Sequence, residues 1–158
     1  MSDNIKSKEE NMAVRNIIYS DNETIRKKSK PVKTFDNNLW LLLDDMYETM
    51  VHYNGCGIAA VQVGILKRAV IVETNGLKIE LINPVIISSS GKQVGQEGCL
   101  SVKNIRGDVE RPYKITVKAY DRFGNEMTLT FCDFVAKAIC HELDHLDGIL
   151  FIDKIIRK

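Results

Sequence analysis

Apolar side chains recur every three or four positions between residues 36 and 53, and this spacing predicts a helix with one buried face. Asp36 stands before the stripe and can cap the helix start, and Asn54-Gly55 can end the helix. His52 falls in the last turn, where we interpret it as a partly exposed histidine with no metal role. The apolar stripe consists of Leu39, Leu42, Leu43, Met46 and Met50.

Two hairpins are predicted further along the chain. Residues 69–72 and 77–87 are strand-like, and Asn75-Gly76 between them is a strong signal for a tight turn. Residues 113–121 and 126–131 alternate between apolar and polar side chains, which predicts an antiparallel pair with one face in water.

Other segments complete the pattern. Residues 88–95 are polar and predict a loop, and residues 22–30 predict a short capped helix that ends before Pro31. Asp133 can cap a second long helix, which runs to about Asp147-Gly148. We expect the apolar residues that follow to dock on the core.

Composition adds few constraints. The chain has 158 residues, of which 44% are hydrophobic and 27% charged, and we expect a single globular domain over residues 12–158 after a flexible polar extension, residues 1–11. The net charge of +1 gives no sign of a nucleic-acid or membrane surface. No apolar run approaches the roughly 20 residues of a bilayer span, and no signal peptide is visible. The expected location is therefore cytoplasmic, with the four cysteines as free thiols.

The side chains best suited to bind a metal or transfer a proton lie in the second long helix, which contains His141-Glu142-Leu143-Asp144-His145. Two histidines four residues apart lie on the same face of a helix, one turn apart. Two imidazoles so placed can bind one metal ion, and Glu142 beside them can move a proton.

A third metal ligand must come from elsewhere in the chain. Thermolysin-like peptidases use a glutamate well downstream, but no glutamate follows His145. The metzincin pattern needs a histidine where this chain has Phe151. Cys99 is the upstream candidate with suitable chemistry, although a free cysteine is more often a small buried apolar residue.

Gly55-Cys56-Gly57-Ile58-Ala59-Ala60-Val61-Gln62 is the remaining unusual segment. Its glycines permit a close backbone approach to another group. Taken alone, the segment predicts a turn and then a buried strand, with Gln62 simply hydrogen-bonded. It lacks the third glycine of a dinucleotide-binding fingerprint.

Taken together, three motifs resemble the signature motifs of the peptide deformylase family, in the family's order. They are Gly55-x-Gly57-x-Ala59-Ala60-x-Gln62, Glu97-Gly98-Cys99-Leu100-Ser101 and His141-Glu142-x-Asp144-His145. The similarity extends over roughly residues 12–153. The resemblance implies an α+β fold in which antiparallel β-sheets surround a central metal-binding helix, with an N-terminal helix.

The resemblance also implies hydrolysis of the formyl group from the N-terminal formylmethionine of new polypeptides, by a metal-bound water that Glu142 activates. The side-chain amide of Gln62 and the backbone N–H of Leu100 would stabilise the oxyanion. The implied metal ligands are Cys99, His141 and His145.

Substrate contacts are implied in the same way. The backbone of Cys56 and Gly57 would hold the peptide as an added strand, and Arg106 would lie near the methionine side chain. Arg111 would pair with Glu97 to brace the site. Fe²⁺ is the implied metal, with Zn²⁺ able to take its place. The implied partners are formyl-Met nascent peptides, with a transient ribosome contact possible and no direct nucleic-acid or membrane recognition.

Two alternatives compete with a deformylase. A metalloendopeptidase is a second enzyme class, against which the missing downstream ligand argues. The other alternative is a non-catalytic metal-binding or ribosome-associated module. Glu142 and Gln62 argue against such a module, because binding alone requires neither.

Overall fold

Two α-helices and seven β-strands, with three short 3₁₀ turns, are found in residues 13–156, the part of the chain that the computed structural model describes. The helices are α1 (Asn37–His52) and α2 (Asp133–Leu146). The strands are β1 (Gly57–Ala59), β2 (Ala69–Thr74), β3 (Leu77–Ser90), β4 (Gln93–Cys99), β5 (Val102–Arg111), β6 (Lys114–Tyr120) and β7 (Glu126–Cys132).

Five strands form one antiparallel sheet in the order β1-β2-β3-β6-β7. Strand β2 is buried on both faces: Val70 and Val72 belong to the core that includes α2, whereas Ala69 and Ile71 belong to the core that includes α1. This explains why its sequence is an uninterrupted apolar run, since successive side chains of a strand point to opposite faces.

The predicted hairpins are confirmed. Asn75 and Gly76 both have positive φ, 51° and 78°, as the tight turn between β2 and β3 requires. Strands β6 and β7 pair antiparallel, with Ile115, Val117 and Ala119 buried on one face.

The loop predicted at residues 88–95 is wrong. Strand β3 continues to Ser90 and β4 begins at Gln93, so only two residues separate them. Strand β5 was not predicted at all, and it pairs with β4 as a separate two-stranded sheet. Both regions are rich in polar residues and glycine, which carry little strand signal. Their strand structure instead comes from pairing with partners distant in the sequence.

Helix starts were predicted with mixed success. Asp36 caps α1 as expected, since its side chain accepts a hydrogen bond from the backbone N–H of Leu39 at 3.1 Å. The cap of α2 is Cys132, not Asp133, which is already the first helical residue. The backbone of Asp133 is held from outside the helix, because its carbonyl oxygen accepts a hydrogen bond from the Gln93 side chain at 2.8 Å.

Segments near the two ends of the described chain contact each other, since Arg26 forms an ion pair with Asp153. The predicted helix at residues 22–30 is a 3₁₀ turn, Glu23–Arg26, capped by the side chain of Asn22. After α2, Leu150 and Phe151 are buried in the core, as predicted. The extension predicted at residues 1–11 lies outside the described residues. Within residues 13–156, neither helix is long and apolar enough to cross a membrane.

We expect Gly148→Ala to lower the free energy of unfolding by about 2–4 kcal/mol. Gly148 has a φ of +73°, and an added Cβ would lie 2.1 Å from the carbonyl oxygen of Arg26. Both strain and a clash with rigid backbone therefore oppose the substitution. Gly76→Ala is the matched control, because its φ is +78° and no atom lies within 4 Å of the added Cβ. Equal losses for both variants in urea denaturation would contradict the clash.

Candidate metal centre

Helix α2 and the end of β4 together place three metal-binding side chains around one point. The donor atoms of Cys99, His141 and His145 all lie within 4.8 Å of one another. The sulfur of Cys99 lies 3.4 Å from Nε2 of His145, although these residues are 46 positions apart in the sequence. The structure thus brings together all three predicted ligands.

The chemistry of these donors suits a divalent metal ion. Burial lowers the pKa of His145 well below its usual value, so its imidazole is neutral and able to bind a metal. Burial also disfavours protonation of His141, but hydrogen bonds to Cys99 and Glu97 outweigh this and raise its pKa to about 10. The surroundings of His141 therefore favour a positive charge, which a metal ion would supply.

Glu142 lies buried beside these donors, with Oε1 3.9 Å from Nε2 of His141. Its Oε2 has no hydrogen-bond partner among the described residues. Burial raises its pKa to about 7, helped by the charge of Glu97 and opposed by His141 and Arg111. A carboxyl group with such a pKa can both accept and release a proton near neutral pH.

Gln62 is held in one orientation beside Cys99. Its Oε1 accepts a hydrogen bond from the backbone N–H of Ala59 at 2.9 Å, and its Nε2 donates to Oγ of Ser101 at 3.1 Å. Nε2 also lies 3.6 Å from the sulfur of Cys99. The amide therefore connects the Gly55–Gln62 segment to the cysteine motif.

A buried ionic network of Arg111 and Glu97 contacts His141. Arg111 donates two hydrogen bonds to Glu97, at 3.0 and 2.9 Å, so the structure contains the bracing pair that the resemblance implied. Glu97 also contacts Nδ1 of His141 at 2.9 Å. Burial would raise the pKa of Glu97, but its bonds with His141 and Arg111 lower it to about 2.

The sequence interpretation missed two members of this arrangement. Asp144 accepts a hydrogen bond from Arg111, and Ser101 accepts one from Gln62. Both residues lie inside the quoted motifs. A carboxylate or hydroxyl close to a metal ligand in the sequence could have identified them as parts of the site. Cys140 instead packs in the core, where burial raises its pKa to about 11.

A cavity of about 390 Å³ opens onto the metal-binding side chains. The substrate-contact residues that were predicted, Cys56, Gly57 and Arg106, all line it, and so does Leu100. Gly57 faces Glu142 so closely that an added Cβ would lie 2.8 Å from Oε1. All the predicted catalytic, substrate-binding and metal-binding residues therefore line the cavity except His145, which is buried beside Cys99.

An α+β fold, a Cys-His-His donor set and an adjacent buried carboxyl group, all beside an open cavity, define a metal-dependent hydrolase. Comparison with known proteins gives the family. The family model described as polypeptide deformylase matches residues 14–158. The chain belongs to the polypeptide deformylase family.

Individual relatives are similar to this protein over almost the whole chain. The peptide deformylase of Caldicellulosiruptor bescii is 56% identical over 146 residues, which are 92% of this chain and 88% of the relative. The crystal structure of a peptide deformylase from Legionella pneumophila has a TM-score of 0.88 at 41% identity, covering 91% of this chain and 87% of that one. A Met-Ala-Ser-bound peptide deformylase from Acinetobacter baumannii has a TM-score of 0.86 at 36% identity, covering 90% and 99%.

These findings confirm the predicted family, the α+β fold class, the hydrolase class and peptide deformylation as the activity. They do not favour the metalloendopeptidase or the binding module. They agree with a metal-dependent enzyme, while the roles of single residues and the identity of the metal remain predictions.

Proposed function

We propose that this protein removes the formyl group from the N-terminal formylmethionine of newly made polypeptides, in the cavity beside Cys99, His141 and His145. The observation that carries the proposal is the meeting of these three donors within 4.8 Å, next to the unpartnered carboxyl oxygen of Glu142. The reaction cleaves the amide bond between the formyl carbon and the methionine nitrogen, and it yields formate and a free amine.

Cys99, His141 and His145 would hold the metal ion. When bound, such an ion supplies Lewis-acid chemistry that polarises a carbonyl oxygen and makes a water molecule more acidic. We assign Fe²⁺ as the resident ion, as the resemblance implies, with Zn²⁺ as a substitute. Thiolate and imidazole ligands suit either ion.

Glu142 acts as the base and then as the acid. Its carboxylate takes the proton of the attacking water and delivers it to the methionine nitrogen as that nitrogen leaves. Burial raises the pKa of this carboxyl group above that of a carboxyl group in water, which makes its carboxylate a stronger base. Burial of the carboxyl group also keeps bulk water from competing for the proton.

Gln62 and Leu100 stabilise the oxygen that gains negative charge as the formyl carbon becomes tetrahedral. Both residues line the cavity, and the Gln62 amide is already oriented by Ala59 and Ser101. Donors that are held in place before the reaction need no reorganisation when the charge develops.

The peptide backbone pairs with the Cys56–Gly57 segment. Strand β1, which begins at Gly57, is at the edge of the five-stranded sheet, and no strand within residues 13–156 pairs with its outer side, where another strand can be added. Gly57 leaves room above Glu142 that any side chain would fill. Arg106 lies at the cavity wall, where it can contact the methionine end of the substrate. The Met-Ala-Ser-bound relative supports a peptide of this form.

The test is anaerobic incubation of the Fe²⁺-loaded protein with formyl-Met-Ala-Ser, with formate release and metal content measured on the same sample. We expect formate release at about one metal per chain. A fully metallated protein that produces no formate would overturn the proposal.

We expect Gln62→Leu to lower kcat by about 10²–10³-fold, the usual cost of losing one oxyanion donor. Ser101→Ala should cost less, because it removes a bond that orients the amide but keeps the amide itself. Metal content must be measured in both variants, since Gln62 also contacts Cys99. A loss that follows metal content alone would argue against the oxyanion role.

A further inference from the structure

Two positively charged side chains, Lys137 and Arg106, line the cavity, and their exposure, partial for Lys137, places them at its mouth. Within residues 13–156, neither forms an ion pair with a carboxylate, although all five other arginines there do. The reaction described above gives Lys137 no role, and it gives Arg106 only a contact with the methionine end of the substrate. Their common position therefore calls for a separate explanation.

A hydrogen bond holds the side chain of Lys137 against strand β4. It lies on α2 one turn before His141, and its Nζ donates a hydrogen bond to the carbonyl oxygen of Gln96 at 2.9 Å. An added Cβ at Gly95 would lie 2.8 Å from this Nζ, so the ammonium group sits directly on the strand.

Arg106 lies on β5, the strand that pairs with β4, and its side chain also contacts β4. An added Cβ at Gly98 would lie 3.4 Å from its guanidinium carbon and 3.6 Å from its Nε. The side chain is exposed on its other side. Lys137 and Arg106 thus flank residues 95–98, and we call this rim of the cavity the β4 lip.

In the described part of the chain, no exposed carboxylate balances these charges on the cavity wall. The acidic residues that line the cavity are Glu97 and Glu142, and both are buried. Glu97 is already bound by Arg111 and His141. The mouth of the cavity therefore carries excess positive charge, which attracts anionic groups that pass it.

We propose that the β4 lip makes the enzyme prefer substrates with an acidic side chain at the first or second position after formylmethionine, with Lys137 as the main specificity-determining residue. This inference rests on the proposed function. Because the formyl group reacts at the metal-binding side chains inside the cavity, the following residues of the peptide must leave through the mouth. The charges are partly in water, so the preference is modest, about three- to five-fold in kcat/KM.

The test compares amidated peptides of the form formyl-Met-Xaa-Ser and formyl-Met-Ala-Xaa, in which Xaa is Glu, Gln or Lys. Amidation removes the terminal carboxylate, which would otherwise bind the same cations. We expect kcat/KM to fall in the order Glu, Gln, Lys at one position at least, mainly through KM, because the contact is equal in ground and transition states. The difference should shrink with added salt.

Lys137→Met should reduce the ratio of kcat/KM between the Glu and Gln peptides to about one. The ratio cancels any general loss of activity in the variant. Lys33→Met is the control, because Lys33 is exposed and does not line the cavity, and it should keep the wild-type ratio. Equal kcat/KM for the Glu and Gln peptides, or an unchanged ratio in Lys137→Met, would overturn the inference. Failure to hydrolyse any formyl peptide would instead overturn the proposed function.

Discussion

We expect Glu142→Gln to lower kcat for formyl-Met-Ala-Ser by about 10³–10⁴-fold, at the upper end of what a general acid–base residue contributes. The amide keeps the size of the side chain but cannot take the proton of the attacking water or return it to the methionine nitrogen. Both proton transfers are lost at once. KM should change far less, because the binding contacts of Gly57 and Arg106 are untouched.

Metal content and stability decide how this result is interpreted. Glu142 is not one of the three converging donors, so the variant should hold as much metal as the wild type. It should also be at least as stable, because Glu142 is a buried carboxyl group with one unpartnered oxygen. Glu110→Gln is a matched control on an exposed glutamate and should retain wild-type kcat. Activity within ten-fold of wild type in Glu142→Gln would assign the proton transfers to another group.

The largest loss of stability should follow Arg111→Met, which we expect to lower the free energy of unfolding by about 3–5 kcal/mol. Arg111 is 3% exposed and binds both Glu97 and Asp144. Its removal leaves Glu97 as a buried charge whose remaining partner is His141. The cost comes mainly from that uncompensated charge, since a well-packed apolar replacement of the whole pair is often tolerated.

The double variant Glu97→Gln/Arg111→Met tests this reasoning. It should recover part of the stability lost in Arg111→Met, because the uncompensated carboxylate is gone. Urea denaturation of the wild type and the single and double variants measures the difference. A loss of less than about 1 kcal/mol in the single variant would show that the network contributes as little as a surface ion pair.

The same network predicts a dependence on pH. Pairing lowers the pKa of Glu97 from 4.5 to about 2, so its stabilising contribution is complete above 4.5 and is lost as the pH falls toward 2. In Arg111→Met, the carboxyl group of Glu97 can instead become neutral in mild acid. The difference in stability between wild type and variant should therefore shrink below pH 4.5. A constant difference down to pH 3 would contradict the assignment.

Local sequence patterns predicted the elements whose structure depends on near neighbours. The α1 stripe and its Asp36 cap act within a few residues, and so does the Asn75-Gly76 turn. Strands β4 and β5 escaped prediction because they are stabilised by pairing with each other and by contacts from α2, such as the bond from Lys137 to Gln96. Those contacts have no counterpart in local periodicity.

The sequence alone determined that His141 and His145 share one helix face with Glu142 between them, because helical spacing alone sets that relation. Its motifs also indicated the family and contained Cys99 and Gln62, and the resemblance implied Arg111. Only the tertiary structure decided that Cys99 lies 3.4 Å from His145, that Glu142 is buried, and that Lys137 from α2 and Arg106 from β5 both contact β4. These relations depend on how α2 packs against strands far from it in the chain, and burial and pKa follow from that packing.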